Sequence, residues 1–389
     1  MSFDEIIDRR GTHCVKWDMM ESLYGVSPDD GISMWVADMD FRPPDCVQDA
    51  VRTMLDHGVY GYFGDDSKYR AAICWWMAER HGWEVDPSHI FSTHGLVNGT
   101  AMCVDTYTNE GDAVVLFTPV YHAFARVIAA ANREVRELEM PVTDGRYVLD
   151  FEAYDAQMTG TEKLLVLCSP HNPGGRVWTR AELEGIAEFA KRHDLIIVSD
   201  EIHHDLVMPG QTHIPMTKID GIADRLVMMT AATKTFNIAG SHIGNVIIAD
   251  DDLRARFAAR MAGLGLSPNS FGLHMVTAAY SPDGAAWVDD LCEYLAENAR
   301  IFDEGINAIP GLRSMPLEAT YLAWVDFDGT GMGREEFTDR VTNAAKIAAN
   351  YGPTFGKGGE SFLRFNIATP RSRVEEAVAR MQAAFGDLQ

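Results

Sequence analysis

The residue whose surroundings most need a chemical explanation is Lys234. It lies in residues 230–240 (TAATKTFNIAG), among Ala, Thr, Phe and Ile, with little nearby charge. Lysine is rarely buried without a purpose, and desolvation lowers its pKa and turns the ammonium into a nucleophilic amine. The plainer alternative is a solvated loop lysine. Two other segments raise the same kind of question. Asp200 opens the stretch DEIH directly after the apolar run LIIVS. A carboxylate there is costly unless it meets a cation or hydrogen-bond donors. It serves either as a helix N-cap or as the partner of a protonated ring nitrogen. Residues 169–175 (SPHNPGG) follow the run LLVLC. Two prolines and two glycines make a tight, rigid turn that fixes Asn172, unless Asn172 is only a turn-former.

All three segments follow short apolar runs, and those runs set the frame. Residues 113–118 (AVVLFT), 164–168 (LLVLC), 195–199 (LIIVS), 226–230 (LVMMT) and 245–249 (NVIIA) suit strands buried on both faces, as in a largely parallel sheet. Between two of them, residues 179–194 read as an amphipathic helix. Thr179 and Glu182 have capping-box spacing, and Leu183, Ile186, Ala187 and Ala190 form one stripe. Strand–helix–strand alternation predicts an α/β domain of three layers, helix–sheet–helix, with right-handed crossovers. In such folds ligands bind at the carboxyl ends of the strands, where Asn172, Asp200 and Lys234 would stand. The last third differs. Residues 287–309 read as a long helix, 321–327 (YLAWVDF) and 362–367 (FLRFNI) as strands, and 372–385 as a helix with a second capping box, Ser372 and Glu375. This suits a smaller α+β domain.

Composition excludes several function classes. The 57 Asp and Glu outweigh 33 Lys and Arg, a net charge of −24. That argues against nucleic acid or an anionic membrane as the main partner. With 389 residues, 47% of them apolar, the chain can build a large core shared by two domains. The six cysteines form no C-x-x-C pair and read as reduced thiols. The start, MSFDEIIDRR, has no apolar segment of the signal-peptide kind, and no apolar stretch approaches the ~20 residues of a membrane helix. A cytoplasmic location is expected. No G-x-G-x-x-G follows a strand, and residues 352–357 (GPTFGK) miss the P-loop spacing by one residue. His203 and His204 are adjacent and so point apart, and no H-E-x-x-H occurs, so no metal is expected.

Taken together and in order, these segments resemble fold-type-I pyridoxal-phosphate enzymes, the aspartate aminotransferase superfamily. The resemblance covers most of the chain and is closest to the cystathionine β-lyase, or C–S lyase, group of MalY/PatB type. It is carried by MWVADMDF (34–41), YGY (60–62), TPVYHAF (118–124), SPHNPGG, DEIHHDLV (200–207), HIPM (213–216), TKTFNIAG (233–240) and LRFNIATP (363–370). It implies residues 46–285 as a large cofactor-binding domain, with 1–45 and 286–389 forming a small one.

The resemblance also implies roles. Lys234 corresponds to the Schiff-base lysine and Asp200 to the carboxylate facing the pyridine nitrogen. Asn172 and His203 correspond to contacts of the pyridine 3-oxygen, and Tyr121 to the stacking aromatic. Gly95, Leu96 and Val97 occupy the phosphate-binding turn, with Thr233 adding a hydroxyl. Arg364 corresponds to the clamp on the substrate α-carboxylate, aided by the backbone of Ala37 and by Asn172. Tyr62, with Tyr60 as its competitor, corresponds to a residue reaching the neighbouring subunit's phosphate, which implies a homodimer with shared active sites. Two positions depart from pattern. His242 stands where many aminotransferases carry a phosphate-holding arginine, an arginine that the C–S lyase group also lacks, and His204 stands where that group has serine.

The implied activity is β-elimination from cystathionine or another S-substituted cysteine, giving thiol, pyruvate and ammonia. Two alternatives are an aminotransferase using the same apparatus and a catalytically inactive regulatory protein of this fold.

Overall fold

The computed structural model describes residues 2–388. Its centre is a seven-stranded sheet: β1 (Ile90–Thr93), β2 (Ala113–Thr118), β3 (Glu134–Glu139), β4 (Glu162–Cys168), β5 (Ile196–Asp200), β6 (Leu226–Thr230) and β7 (Gly244–Ile247). The spatial order is β1-β7-β6-β5-β4-β2-β3. Only β7 runs against the others, pairing antiparallel with both β1 and β6. The five apolar runs expected as strands are therefore strands, to within about two residues at their ends.

Alternation along these strands explains the layers. Val114, Leu116, Leu164, Val166, Val198 and Val227 point into one core with α2 (Leu96–Tyr107). Val115, Phe117, Leu165, Leu167, Ile197 and Met228 point into the opposite one with Leu183, Ile186 and Phe189 of α3 (Arg180–Arg192). A strand buried on both sides needs no polar face, which is why the runs are continuously apolar. The α3 capping box forms: Thr179 accepts from the Glu182 N–H, and Glu182 accepts from the Thr179 N–H.

The second sheet is antiparallel, in the order β8 (Arg313–Ser314), β9 (Leu322–Asp326), β11 (Phe362–Asn366), β10 (Asn350–Tyr351). It packs beside α4 (Pro282–Asn307) and α5 (Arg371–Ala384). The second predicted capping box does not form. Pro370 occupies the N-cap position, so Ser372 lies inside the first turn and no side chain caps the helix. The N-terminal segment joins this part of the molecule: Ile32–Ser33 pairs parallel with Ile347–Ala348, and the Asp40 N–H donates to Ala368. Among the described residues no helix is long and apolar enough to cross a membrane.

Candidate active site

Chain direction brings the chemistry together. The parallel strands β1, β2, β4, β5 and β6 end at the same sheet edge, and the residues following them form one cleft.

Lys234 lies in a single helical turn, Ala232–Thr235, just after β6. Its Nζ donates to the carbonyl of Ala37 at 2.5 Å. Burial lowers its pKa to about 8; the positive charge of Arg364 adds to the fall, while Asp38 and Asp200 oppose it. Asp200 ends β5 and is buried. Burial raises its carboxyl to about 7, with Glu201 adding to the rise; the Ile202 N–H, 3.1 Å from Oδ1, and the charge of Lys234 oppose it. The acid and the amine thus sense one another in the same cleft. Among the described residues Asp200 caps no helix, and the one hydrogen-bond donor to its carboxylate is that local amide.

Arg364 enters from β11, where it faces Trp324 and Asn350 across the sheet. It is 2% exposed. Its guanidinium donates to Asn172 Oδ1 (3.0 Å), the Trp35 carbonyl (2.9 Å) and Asn350 Oδ1 (2.5 Å), over the Phe355 ring. Its Nε has no partner, and among the described residues no carboxylate forms an ion pair with it. Burial depresses its pKa to about 10. A buried cation held only by neutral acceptors is a receptor for an anion.

The remaining expected residues fall into two sets. Asn172, through its amide oxygen, orients Arg364. His203 is buried beside Tyr321, with centroids 5.9 Å apart, and its Nδ1 has no partner. Burial, reinforced by Lys234 and Arg364, holds its pKa far below the usual range, so the ring is neutral. Tyr121 follows β2; burial raises its phenol, which also senses Arg364 and Asp200. Thr233 is buried next to the lysine. Gly95 caps α2 at φ 85°, a backbone region that favours glycine, and leaves the Leu96 and Val97 N–H groups outside the helical bonding pattern. Gly244 lies so close that a Cβ there would meet Leu96 N at 3.2 Å. This helix start is a site for an anion. Tyr62 is not brought into the cleft: it is fully exposed on residues 58–66, which have no regular structure. His242, at φ 47°, is exposed.

Sequence reasoning missed several contributors. The Ala37 carbonyl accepts from Lys234, and the Tyr321 hydroxyl donates to that same carbonyl at 2.9 Å. Asn366 holds the carbonyls of Val36 and Asp38, and Asn237 exchanges bonds with Met39 and donates to Phe41. Together they pin residues 36–41 over the lysine. The signal was present as polar residues within runs read only as strand or loop.

Known proteins resemble this chain in sequence and fold. The model of the family "aminotransferase class I and II" matches residues 30–381. The chain is 37% identical over 388 residues to the cystathionine β-lyase PatB of Bacillus subtilis, covering 99% of this chain and all of that protein. It is 31% identical to the protein MalY of Escherichia coli over 97% of each. Among solved structures it resembles cystalysin from Treponema denticola, which contains a pyridoxal 5′-phosphate cofactor, with a TM-score of 0.94 and 35% identity over 100% of this chain and 99% of that one.

Proposed function

The chain belongs to the aminotransferase class I and II family, and on that premise we propose that it is a pyridoxal-phosphate-dependent carbon–sulfur β-lyase. Its substrate is cystathionine or another S-substituted cysteine, split into thiol, pyruvate and ammonia. The observation that carries this reading is one cleft containing a lysine amine lowered to about 8, a carboxyl raised to about 7, and a buried arginine without a carboxylate partner among the described residues.

The residues present fit the cofactor. The Asp200 carboxyl is raised because it is desolvated with a single local donor, and a cationic ring nitrogen would relieve that cost. The unpartnered Nδ1 of His203 and the free N–H groups at the start of α2 match a polar heterocycle and its phosphate. When bound, pyridoxal phosphate supplies an aldehyde for amines and an electron-withdrawing ring for charge developing at the substrate Cα.

Lys234 would hold the cofactor through its amine, and the same amine is placed to take a proton from the substrate Cα. A pKa near 8 keeps that amine available as a base close to neutral pH. Asp200 would pair with the ring nitrogen and favour its protonation, Asn172 and His203 would serve the 3-oxygen, and Tyr121 would serve the ring. Leu96 and Val97, with Thr233, would receive the phosphate. Arg364 grips the α-carboxylate through its two-pronged donor face, holding the Cα–H bond toward Lys234. Orientation of this kind can supply several kcal/mol of barrier lowering. The pinned segment 36–41 keeps the Ala37 carbonyl beside the lysine.

Residues 46–285 then act as the cofactor domain, with 1–45 and 286–389 supplying the carboxylate grip. Arg364 on the second sheet supports this division. The full exposure of Tyr62 supports a homodimer in which each copy covers the other's phosphate end.

The test is incubation of the loaded enzyme with cystathionine and no added keto acid. Pyruvate and free thiol should appear in equal amounts. Turnover that requires a keto acid would reassign the chain to amino-group transfer.

A further inference from the structure

A second set of ligand-type side chains meets outside the cofactor cleft. His81 ends α1 (Ser67–His81), and His204 and Asp205 lie beyond β5. The two adjacent histidines do diverge: His203 turns toward Tyr321, whereas His204 packs on His81 with ring centroids 4.4 Å apart. One ligand atom from each of His81, His204 and Asp205 lies within 4.8 Å of the others. His81 Nε2 is 2.8 Å from Asp205 Oδ1, and His204 Nε2 is 3.1 Å from Asp205 Oδ2. The second contact is misaligned for a hydrogen bond, so the buried Nε2 of His204 has no partner.

That spacing is close to an edge of a metal polyhedron. Tetrahedral zinc with bonds of about 2.0–2.1 Å puts neighbouring ligand atoms roughly 3.3 Å apart, so each of the two histidine–carboxylate contacts lies within about half an ångström of that separation. The carboxylate is already oriented from behind by Trp76 Nε1 (2.9 Å) and Thr235 Oγ1 (2.8 Å), as outer-shell donors orient metal carboxylates. The Asp205 and His204 side chains are 0% and 2% exposed. All three residues line a cavity of about 520 Å³, which gives an ion an entry path and leaves room for a further ligand.

We propose that His81, His204 and Asp205 bind a divalent transition-metal ion of the zinc class, at a site separate from the cofactor. Two imidazoles with one carboxylate favour zinc or cobalt over magnesium or calcium, which take oxygen ligands. The assignment does not depend on the lyase reading.

The holoenzyme, stripped with a chelator and desalted, is titrated with Co²⁺. Binding is followed by difference spectrum against the cofactor absorption and by metal content after gel filtration. One cobalt per chain is expected, with the visible bands of a four-coordinate ion and displacement by Zn²⁺. His204→Ser and, separately, His81→Gln should weaken binding roughly tenfold or more, with β-elimination by His204→Ser retained. Should one variant fail to fold, the other decides. Absence of bound cobalt in the wild type, or equal binding by wild type and folded variants, overturns the assignment.

Discussion

Replacing Asp200 with asparagine should make the cofactor-free chain more stable while abolishing its use of the cofactor. The carboxyl moves from an ordinary 3.8 to about 7 through burial. Each pKa unit is worth about 1.4 kcal/mol, so ionising this group inside the folded chain costs up to about 4 kcal/mol relative to the unfolded one. Water entering the cofactor-free cleft reduces the penalty, and an increase of about 2–4 kcal/mol is expected for Asp200→Asn at pH 8. Asparagine keeps an oxygen for the Ile202 N–H, so the local turn survives. The sign follows from the raised pKa. The protonated carboxyl's contribution to stability is fully present below about 3.8 and is lost as pH rises through about 7. The advantage of asparagine should therefore be small at pH 4, grow up to pH 7 and level off above it. Urea unfolding of cofactor-free protein across this range measures it. A variant no more stable than wild type at pH 8, or a difference independent of pH, would refute the reasoning. Loaded wild type should reverse the order, because the cationic ring offsets the penalty in wild type only.

Three other outcomes are expected. Arg364→Lys cannot keep its bonds to Asn172, Asn350 and Trp35 while presenting a fork, and kcat/KM should fall on the order of 10²-fold, mostly through KM; steady-state kinetics with cystathionine checks this. Capture of pyridoxal phosphate by cofactor-free protein needs the neutral Lys234 amine. Its stopped-flow rate should climb tenfold per pH unit below about 8 and flatten above. If Tyr62 completes the neighbouring copy's site, a refolded mixture of Tyr62→Ala and Lys234→Ala chains should regain activity that neither has alone, in a species of twice 43.1 kDa.

The parts of this molecule legible in the sequence share a cause. Lys234, Asp200 and Asn172 each follow a continuously apolar strand, and the parallel sheet delivers such residues to one edge. Arg364 was located by resemblance, because nothing in FLRFNI itself marks its partners. Residues acting across long separations were not legible. Tyr321 and Asp38 sit inside segments whose pattern reads as strand or loop, and they reach Lys234 only once residues 36–41 are pinned by Asn237 and Asn366. The failed capping box at Ser372 has a local cause: the helix starts at Arg371, directly after Pro370, so a correct spacing lies two residues past the cap position. The His81–His204–Asp205 cluster was invisible for the same long-range reason, since residue spacing near His204 gives no hint that α1 ends beside it.

On the proposed function, Lys234 is the amine that holds the cofactor. Borohydride reduction of the loaded enzyme, followed by digestion and peptide mass mapping, tests it directly. A single pyridoxyl-phosphate addition is expected on the peptide containing Lys234, absent from Lys234→Ala. Addition at another lysine, or labelling of the alanine variant to the same extent, would contradict it.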